Sequence, residues 1–298
     1  MIETRDLTKT FDNFTAVDSL NLKIEKGEFF GLLGPNGAGK TTTISLLSTL
    51  LLPTKGEILI DGQQLTRQRP DLKRKISVIT QEYSMRQDMN MDEIMEYQGR
   101  LYFMPRKQIK ERTEELLEFC DLLKFRKRTV RKLSGGMKRK LMVCRALLTD
   151  PEILLLDEPT AGMDALSRRQ MWNLLRKLNE KKLTILLTTH YMEEAQSLCN
   201  RVALMDHGKL EEVSTPSALI ESLGAYAVDE MTADGTQNHY FHTRQEAIRY
   251  LEQLTGQASL RETTLEDVFV ERAGKHLISK IAVINRIREI PCGGCEKS

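Results

Sequence analysis

The stretch that decides the fold class of this 298-residue chain is Gly34-Pro35-Asn36-Gly37-Ala38-Gly39-Lys40-Thr41. Its spacing is that of a P-loop, which follows a strand and opens a helix. Glycines let successive backbone N–H groups turn inward and hold phosphate oxygens, and the helix N-terminus adds partial positive charge. We therefore expect Lys40 to bind the β- and γ-phosphates of a nucleotide and the Thr41 hydroxyl to bind Mg²⁺.

A pair of carboxylates follows the apolar run Leu154-Leu155-Leu156. A buried strand would deliver Asp157 and Glu158 at its carboxyl end, where α/β sheets bind ligands. Asp157 can hold Mg²⁺ through water, and Glu158 can accept a proton from an attacking water. Alone, such a run is most often a strand that ends in solvent, but together with the P-loop it predicts nucleotide hydrolysis.

The rest of the chain predicts an α/β fold with a mixed or parallel sheet. Expected strands at Glu28–Leu33, Ile153–Leu156 and Thr184–Thr188 alternate with helices, of which Lys40–Leu52 is the first, and such alternation implies a parallel sheet.

Two other parts differ in pattern from this core. Asp92–Leu123 is rich in Glu, Lys, Leu and Met at helical spacing, which predicts a helical subdomain inserted at about 85–148. We place the main domain at 1–220. Beyond it, at 221–298, the weaker pattern predicts a small α+β accessory domain and a tail.

Composition restricts the environment and the partners. Lysine and arginine number 44 against 42 acidic residues, so a net charge of +2 does not favour nucleic acid as a partner. No apolar run approaches the ~20 residues of a membrane-spanning helix, and residues 1–9 do not resemble a signal peptide. Five cysteines, an odd number, fit a reducing compartment. We expect a cytoplasmic protein.

Between the two phosphate-site motifs lies Leu133-Ser134-Gly135-Gly136-Met137, directly before a predicted helix. The glycines and the serine form a second possible anion site at a helix N-terminus. In this position the stretch resembles the signature motif of ABC ATPases. The resemblance covers about residues 1–220 and implies a P-loop NTPase of ABC type, with ATP and Mg²⁺ as cofactors.

The resemblance also implies individual roles. Phe11 matches the aromatic residue that stacks on adenine, with Phe14 as the alternative, and Ala161–Asp164 occupies the place of the D-loop. The implied nucleotide-binding residues are Phe11, Gly34, Pro35, Asn36, Gly37, Ala38, Gly39, Lys40, Thr41, Thr42, Ser134, Gly135 and Gly136. The implied catalytic residues are Lys40, Gln81, Glu158 and His190, and the implied Mg²⁺ ligands are Thr41, Gln81 and Asp157.

A narrower resemblance rests on three features. Met137 stands where glutamine is commoner, and the stretches Thr188–Ala195 and Thr264–Phe269 are similar to the drug-exporter branch, which includes daunorubicin-resistance and nodulation-factor export ATPases. The family implies a head-to-tail dimer of two copies and a separate transmembrane permease, with this subunit on the inner face of the membrane. An ATPase of an importer or ion extruder, or a non-transport ABC ATPase, remains the alternative.

Four further features allow more than one interpretation each. Methionines at 85, 89, 91, 95 and 104 fill a core or line a groove for a membrane partner. The basic run Arg126–Lys132 is a solvated face or contacts anionic lipid headgroups. The isoleucine stripe within His276–Ser298 predicts an amphipathic helix that packs on its own domain, on a second protomer or in the membrane interface. There, Cys292 and Cys295 belong to a flexible tail or bind zinc across a dimer.

Overall fold

The structure is a computed structural model that describes residues 1–82, 85–232, 235–254 and 256–272. Contacts divide the chain into two units, Met1–Thr215 and Pro216–Ser298. This division lies close to the domain boundary that the sequence predicts at residue 220.

The elements of the first unit alternate as the sequence suggests. Its strands are β1 (Ile2–Phe11), β2 (Phe14–Ile24), β3 (Phe29–Leu33), β4 (Lys55–Ile60), β5 (Gln63–Gln64), β6 (Ile76–Ile79), β7 (Ile153–Asp157), β8 (Thr184–Thr189), β9 (Arg201–Asp206) and β10 (Lys209–Ser214). Its helices are α1 (Lys40–Leu47), α2 (Pro70–Arg74), α3 (Met91–Leu101), α4 (Arg106–Phe119), α5 (Gly135–Leu147), α6 (Ala165–Glu180) and α7 (Met192–Leu198).

A six-stranded sheet organises this unit, in the order β10-β9-β3-β8-β7-β6. Its strands run parallel except for β10, which pairs antiparallel with β9. Strands β3, β7 and β8 are buried at every position, as expected when helices cover both faces. The predicted α/β class with a mixed sheet is confirmed. The carboxyl ends of β3, β7 and β8 carry Leu33, Asp157 and Thr189 to one edge.

A second, antiparallel sheet has the order β2-β1-β4-β5. Its apolar residues, such as Leu7 and Val17, share one buried cluster with Phe30 and Leu32 of the six-stranded sheet. The two sheets of the first unit therefore share a core, and the hairpin between β1 and β2 extends from that core.

The first helix is shorter than the sequence predicts. It ends at Leu47 rather than Leu52, with Ser48 as the C-cap. The chain leaves the helix there because Thr49 adopts a left-handed conformation, with φ of 61°. Leu50 and Leu52 are exposed beyond this turn.

The helical subdomain consists of α3, α4 and α5. Asn90 and Glu93 form a reciprocal capping box that begins α3. Met91 and Met95 are fully buried, and Met85 is nearly so. Three of the five clustered methionines thus fill the core, and the hypothesis of a methionine-lined groove is wrong for them because no partner could reach their side chains. Met89 and Met104 are half-buried.

The basic run after α4 is partly neutralised within the chain. Arg126 and Lys127 both form ion pairs with Asp92 of α3, with N–O distances of 2.9 Å. Partners inside the chain favour a solvated face over a lipid-binding surface for these two side chains.

The second unit contains α8 (Pro216–Leu223), β11 (Tyr226–Thr232), β12 (Gly235–Phe241), α9 (Arg244–Leu251) and β13 (Ala258–Glu262), with a further helix from residue 265. Its antiparallel sheet has the order β12-β11-β13. Thr264 and Asp267 cap the last helix reciprocally, and Arg261 donates to both carboxylate oxygens of Asp267. The Thr264–Phe269 stretch therefore has a structural role. The predicted tail helix and the Cys292–Cys295 pair lie outside the described residues.

Candidate active site

The P-loop joins the end of β3 to the start of α1. Gly39 has φ of 104°, and a Cβ placed there would lie 2.3 Å from the Ala16 carbonyl oxygen. A Cβ at Gly34 would lie 2.1 Å from the Met205 carbonyl oxygen. The loop is thus packed against the ends of β2 and β9 so closely that only glycine fits at these two positions.

This packing gives a test of the loop. Gly39→Ala should lower the free energy of unfolding by about 2–4 kcal/mol, because the new methyl group meets backbone and the left-handed conformation is strained. Thermal unfolding measures this, and ATP titration should show weakened binding. The matched control is Gly62→Ala, since Gly62 has φ of 77° but open space around its Cβ position. Equal melting temperatures for the two variants would contradict the account.

Lys40 is the first residue of α1, directly after the loop, and is only 5% exposed. Its Nζ donates to the carbonyl oxygens of Gly34 and Pro35, at 2.8 and 3.0 Å. Burial lowers the pKa of Lys40, and the carboxylates of Glu158 and Asp157 oppose that shift. The ammonium group is therefore held by the backbone of the P-loop, within electrostatic reach of the carboxylates of Asp157 and Glu158.

Oxygen ligands for a hard cation meet beside this lysine. The Thr41 hydroxyl donates to Asp157 Oδ1 at 3.2 Å, and the Thr188 hydroxyl donates to the same oxygen at 2.6 Å. Mg²⁺ is commonly held by one or two carboxylates together with substrate phosphates and water. The residues present fit that ion, because the predicted ligands Thr41 and Asp157 are already in contact. Gln81, the third predicted ligand, follows β6 and is exposed.

The end of β7 places Glu158 beside His190. Glu158 Oε1 lies 3.1 Å from His190 Nδ1. The backbone of Glu158 is left-handed, with φ of 46°, and its N–H donates to the Thr188 carbonyl oxygen at 3.0 Å. Strained backbone of this kind persists only where the surroundings hold it, and it is concentrated at functional sites. The two predicted catalytic side chains are therefore in contact.

The predicted adenine-binding residues lie at the tip of the first hairpin. Phe11 and Phe14 are directly opposite each other in the register of β1 and β2. Phe11 is 41% exposed and Phe14 is 62% exposed, so each offers an aromatic face to a ligand. Lys9 Nζ lies 4.9 Å from the centre of the Phe11 ring. The choice of Phe11 remains a prediction.

The signature stretch forms the start of α5. Ser134 is the N-cap, and its hydroxyl accepts a hydrogen bond from the Met137 N–H at 3.3 Å. Ser134 and Gly135 are exposed. This helix start thus presents polar groups to solvent, as a surface that completes another chain's site would.

One buried acidic residue was not identified as a candidate by sequence reasoning. Glu194 of α7 is fully buried and accepts hydrogen bonds from Thr160 Oγ1 at 2.9 Å and Trp172 Nε1 at 3.0 Å. Burial raises the pKa of Glu194. It connects the segment after Glu158 with the helix after His190. The sequence could have indicated its burial, because Glu194 lies on the apolar face of α7 beside Ala195 and Leu198.

Comparisons with known proteins agree with this geometry. The pattern of the ABC transporter family matches residues 17–161. The chain is 35% identical to Nod factor export ATP-binding protein I of Cupriavidus metallidurans, over 93% of this chain and 98% of that protein. The chain belongs to the ABC transporter family. As an ABC ATP-binding subunit it binds and hydrolyses ATP.

Two further relatives place this ABC ATPase within the family. It is 39% identical to the daunorubicin/doxorubicin resistance ATP-binding protein of Streptomyces peucetius, over 75% of this chain and 68% of that protein. A dimeric ATP-binding cassette in a post-hydrolysis state, with ADP and Pi bound, matches with a TM-score of 0.65 and 28% identity. That match covers 72% of this chain and 98% of that cassette. The predicted resemblance to the exporter branch is confirmed. Within the described residues, no helix is long and apolar enough to cross a membrane.

Proposed function

We propose that this ABC ATPase drives export through a separate permease, and that two copies associate head to tail around two ATP molecules on the inner face of a membrane. The observation that carries the proposal is the meeting of Lys40, Thr41, Asp157, Glu158 and His190 at one edge of the sheet. The exporter relatives, two of which are export or resistance proteins by name, support the direction of transport.

In this proposal each side chain has one task. Lys40 and the P-loop N–H groups bind the phosphates. Thr41, Asp157 and Gln81 would hold Mg²⁺, which supplies charge neutralisation on the phosphates. Glu158 accepts the proton of the attacking water, and His190 keeps the Glu158 carboxylate oriented through the 3.1 Å contact.

Two separate features of one chain support the head-to-tail arrangement. It has a lysine-bearing P-loop and, separately, an exposed helix start at Ser134. Helix starts bind anions well through their free N–H groups, so Ser134–Gly136 of one copy would close over the nucleotide held by the P-loop of the other. The dimeric relative with ADP and Pi supports this assembly.

The permease would contact an apolar surface at the end of α3. Leu101, Tyr102 and Phe103 are exposed there, and Phe103 is 88% exposed. Together with Thr49 and Val78 they line one groove. Contiguous exposed apolar surface marks an interaction site, and a cytoplasmic helix of the permease is the partner that the transport function requires.

Phe103→Glu tests this contact. The variant should keep the ATPase activity of the isolated subunit but lose transport when it is assembled with the permease, by about tenfold or more, because a charge replaces a central apolar contact. Substrate efflux from vesicles measures the effect. The matched control is Met231→Glu, which alters a similarly exposed apolar residue in the second unit. Normal efflux with Phe103→Glu would refute the docking surface. Absence of ATP-dependent efflux from vesicles that contain the wild-type subunit and its permease would refute the export function.

A further inference from the structure

A buried arginine joins the signature helix to the catalytic loops. Arg139 lies in α5 and is 2% exposed. Its Nη2 donates to the Glu158 carbonyl oxygen at 2.6 Å, and its Nε donates to the Pro159 carbonyl oxygen at 2.5 Å. Its Nη1 donates to the carbonyl oxygens of Thr80 and Gln81, at 2.8 and 3.3 Å. One guanidinium thus binds backbone from both loops.

Hydrogen bonds hold both peptide groups that flank Glu158. Its N–H donates to the Thr188 carbonyl oxygen, and its carbonyl oxygen accepts from Arg139. Between them the residue keeps its left-handed φ of 46°. A non-glycine residue stays in this conformation only where surrounding contacts impose it, so Arg139 is one of the groups that maintain the strained backbone of the proposed base.

The planar fork of arginine suits this geometry. A guanidinium presents five N–H donors in fixed directions, whereas lysine offers a compact charge on a flexible stem. Four carbonyl oxygens in two loops need several donors at once, and a charged group buried without them would be costly. A residue that merely filled space here would not require this arrangement of donors.

We propose that Arg139 is a positioning residue, which fixes Glu158 and Gln81 to the helix that begins at Ser134. This inference rests on the proposed head-to-tail function. In that assembly Ser134–Gly136 contacts the nucleotide of the partner copy, so a shift of α5 on binding that nucleotide moves the base of this chain's own site. Arg139 therefore links the two sites through one rigid helix.

The first test is Arg139→Lys, which keeps the charge but loses the fork. We expect kcat to fall by about 10–100-fold, because small displacements of a catalytic group cost that much, while KM for ATP changes by less than about threefold. A purely structural role would instead lower stability and leave kcat per folded molecule unchanged. Thermal unfolding gives the folded fraction.

The second test is rescue of Arg139→Ala by guanidinium ion at concentrations that do not unfold the wild type. Guanidinium should restore kcat at least about tenfold with saturation, and ammonium ion should not, because only the former supplies the fork. The control is Arg112→Ala: Arg112 also donates to a backbone carbonyl oxygen, that of Leu147 at the other end of α5. It should keep wild-type turnover and show no response to guanidinium.

Near-wild-type kcat in Arg139→Lys would overturn the inference. So would Arg139→Ala activity that falls only with the folded fraction and ignores guanidinium. Glu158→Gln is measured in parallel. If Glu158→Gln turns over normally, the proposed base is wrong. If Glu158→Gln is inactive and Arg139→Lys is normal, only the role of Arg139 is lost.

Discussion

Replacing Glu158 with glutamine should lower ATP turnover by about 10²–10⁴-fold while ATP still binds. Glutamine keeps the shape and one acceptor oxygen, but it cannot take the proton of the attacking water. The contact with His190 Nδ1, at 3.1 Å in the wild type, leaves the substituted side chain in place. Steady-state phosphate release measures the loss, and nucleotide titration measures the retained binding.

The same variant should accumulate as a dimer with ATP, because the γ-phosphate that favours the closed state is not removed. Light scattering with and without ATP detects this. Glu152→Gln is the matched control, since Glu152 is an exposed carboxylate just before the same strand. Turnover by Glu158→Gln at the rate of Glu152→Gln would refute the base assignment.

Removing the charge of Lys40 should weaken the binding of ATP. Charge-assisted hydrogen bonds contribute about 1.5–3 kcal/mol each, so Lys40→Met should weaken ATP affinity by about 10–100-fold. Methionine preserves most of the buried volume, and the P-loop should therefore keep its shape. Calorimetric titration with ATP measures the affinity.

Lys55→Met serves as the control for Lys40→Met because Lys55 is an exposed residue at the start of β4. It should bind ATP as the wild type does. Unchanged affinity in Lys40→Met would mean that the loop does not hold the phosphates through this lysine, and the proposed site would fail.

The phosphate site could be predicted because its parts are set by short-range sequence. A strand, a glycine-rich turn and a helix start bring Lys40 and Thr41 to one place within eight residues. Asp157 and Glu158 end a buried strand, and parallel strands bring their carboxyl ends to one edge. Local geometry thus predicted a contact between residues more than a hundred positions apart.

Arg139 and Glu194 could not be assigned in the same way because their partners lie far away in the sequence. Arg139 sits among Lys138 and Lys140, and this basic run suggests a solvated face. Only its spacing from Met142 and Val143, both buried, indicates that it lies on the apolar face of α5. Which carbonyl oxygens it meets depends on how two loops pack.

The methionine cluster and the end of α1 show a different limit of prediction from sequence. Met91 and Met95 occur at a helical spacing that suits either a core or a groove, and only packing in three dimensions decides between them. The end of α1 depends on one left-handed residue, Thr49, of a type that seldom adopts that conformation.

Mixed dimers test the central claim most directly, namely that each ATP is bound by two chains. Lys40→Met and Ser134→Arg proteins should each be nearly inactive alone. Mixed in equal amounts, they should recover about a quarter of wild-type ATPase activity, because random pairing gives half mixed dimers with one intact site each. Recovery at that level supports the head-to-tail site. Verified mixed dimers without any recovered activity would contradict it.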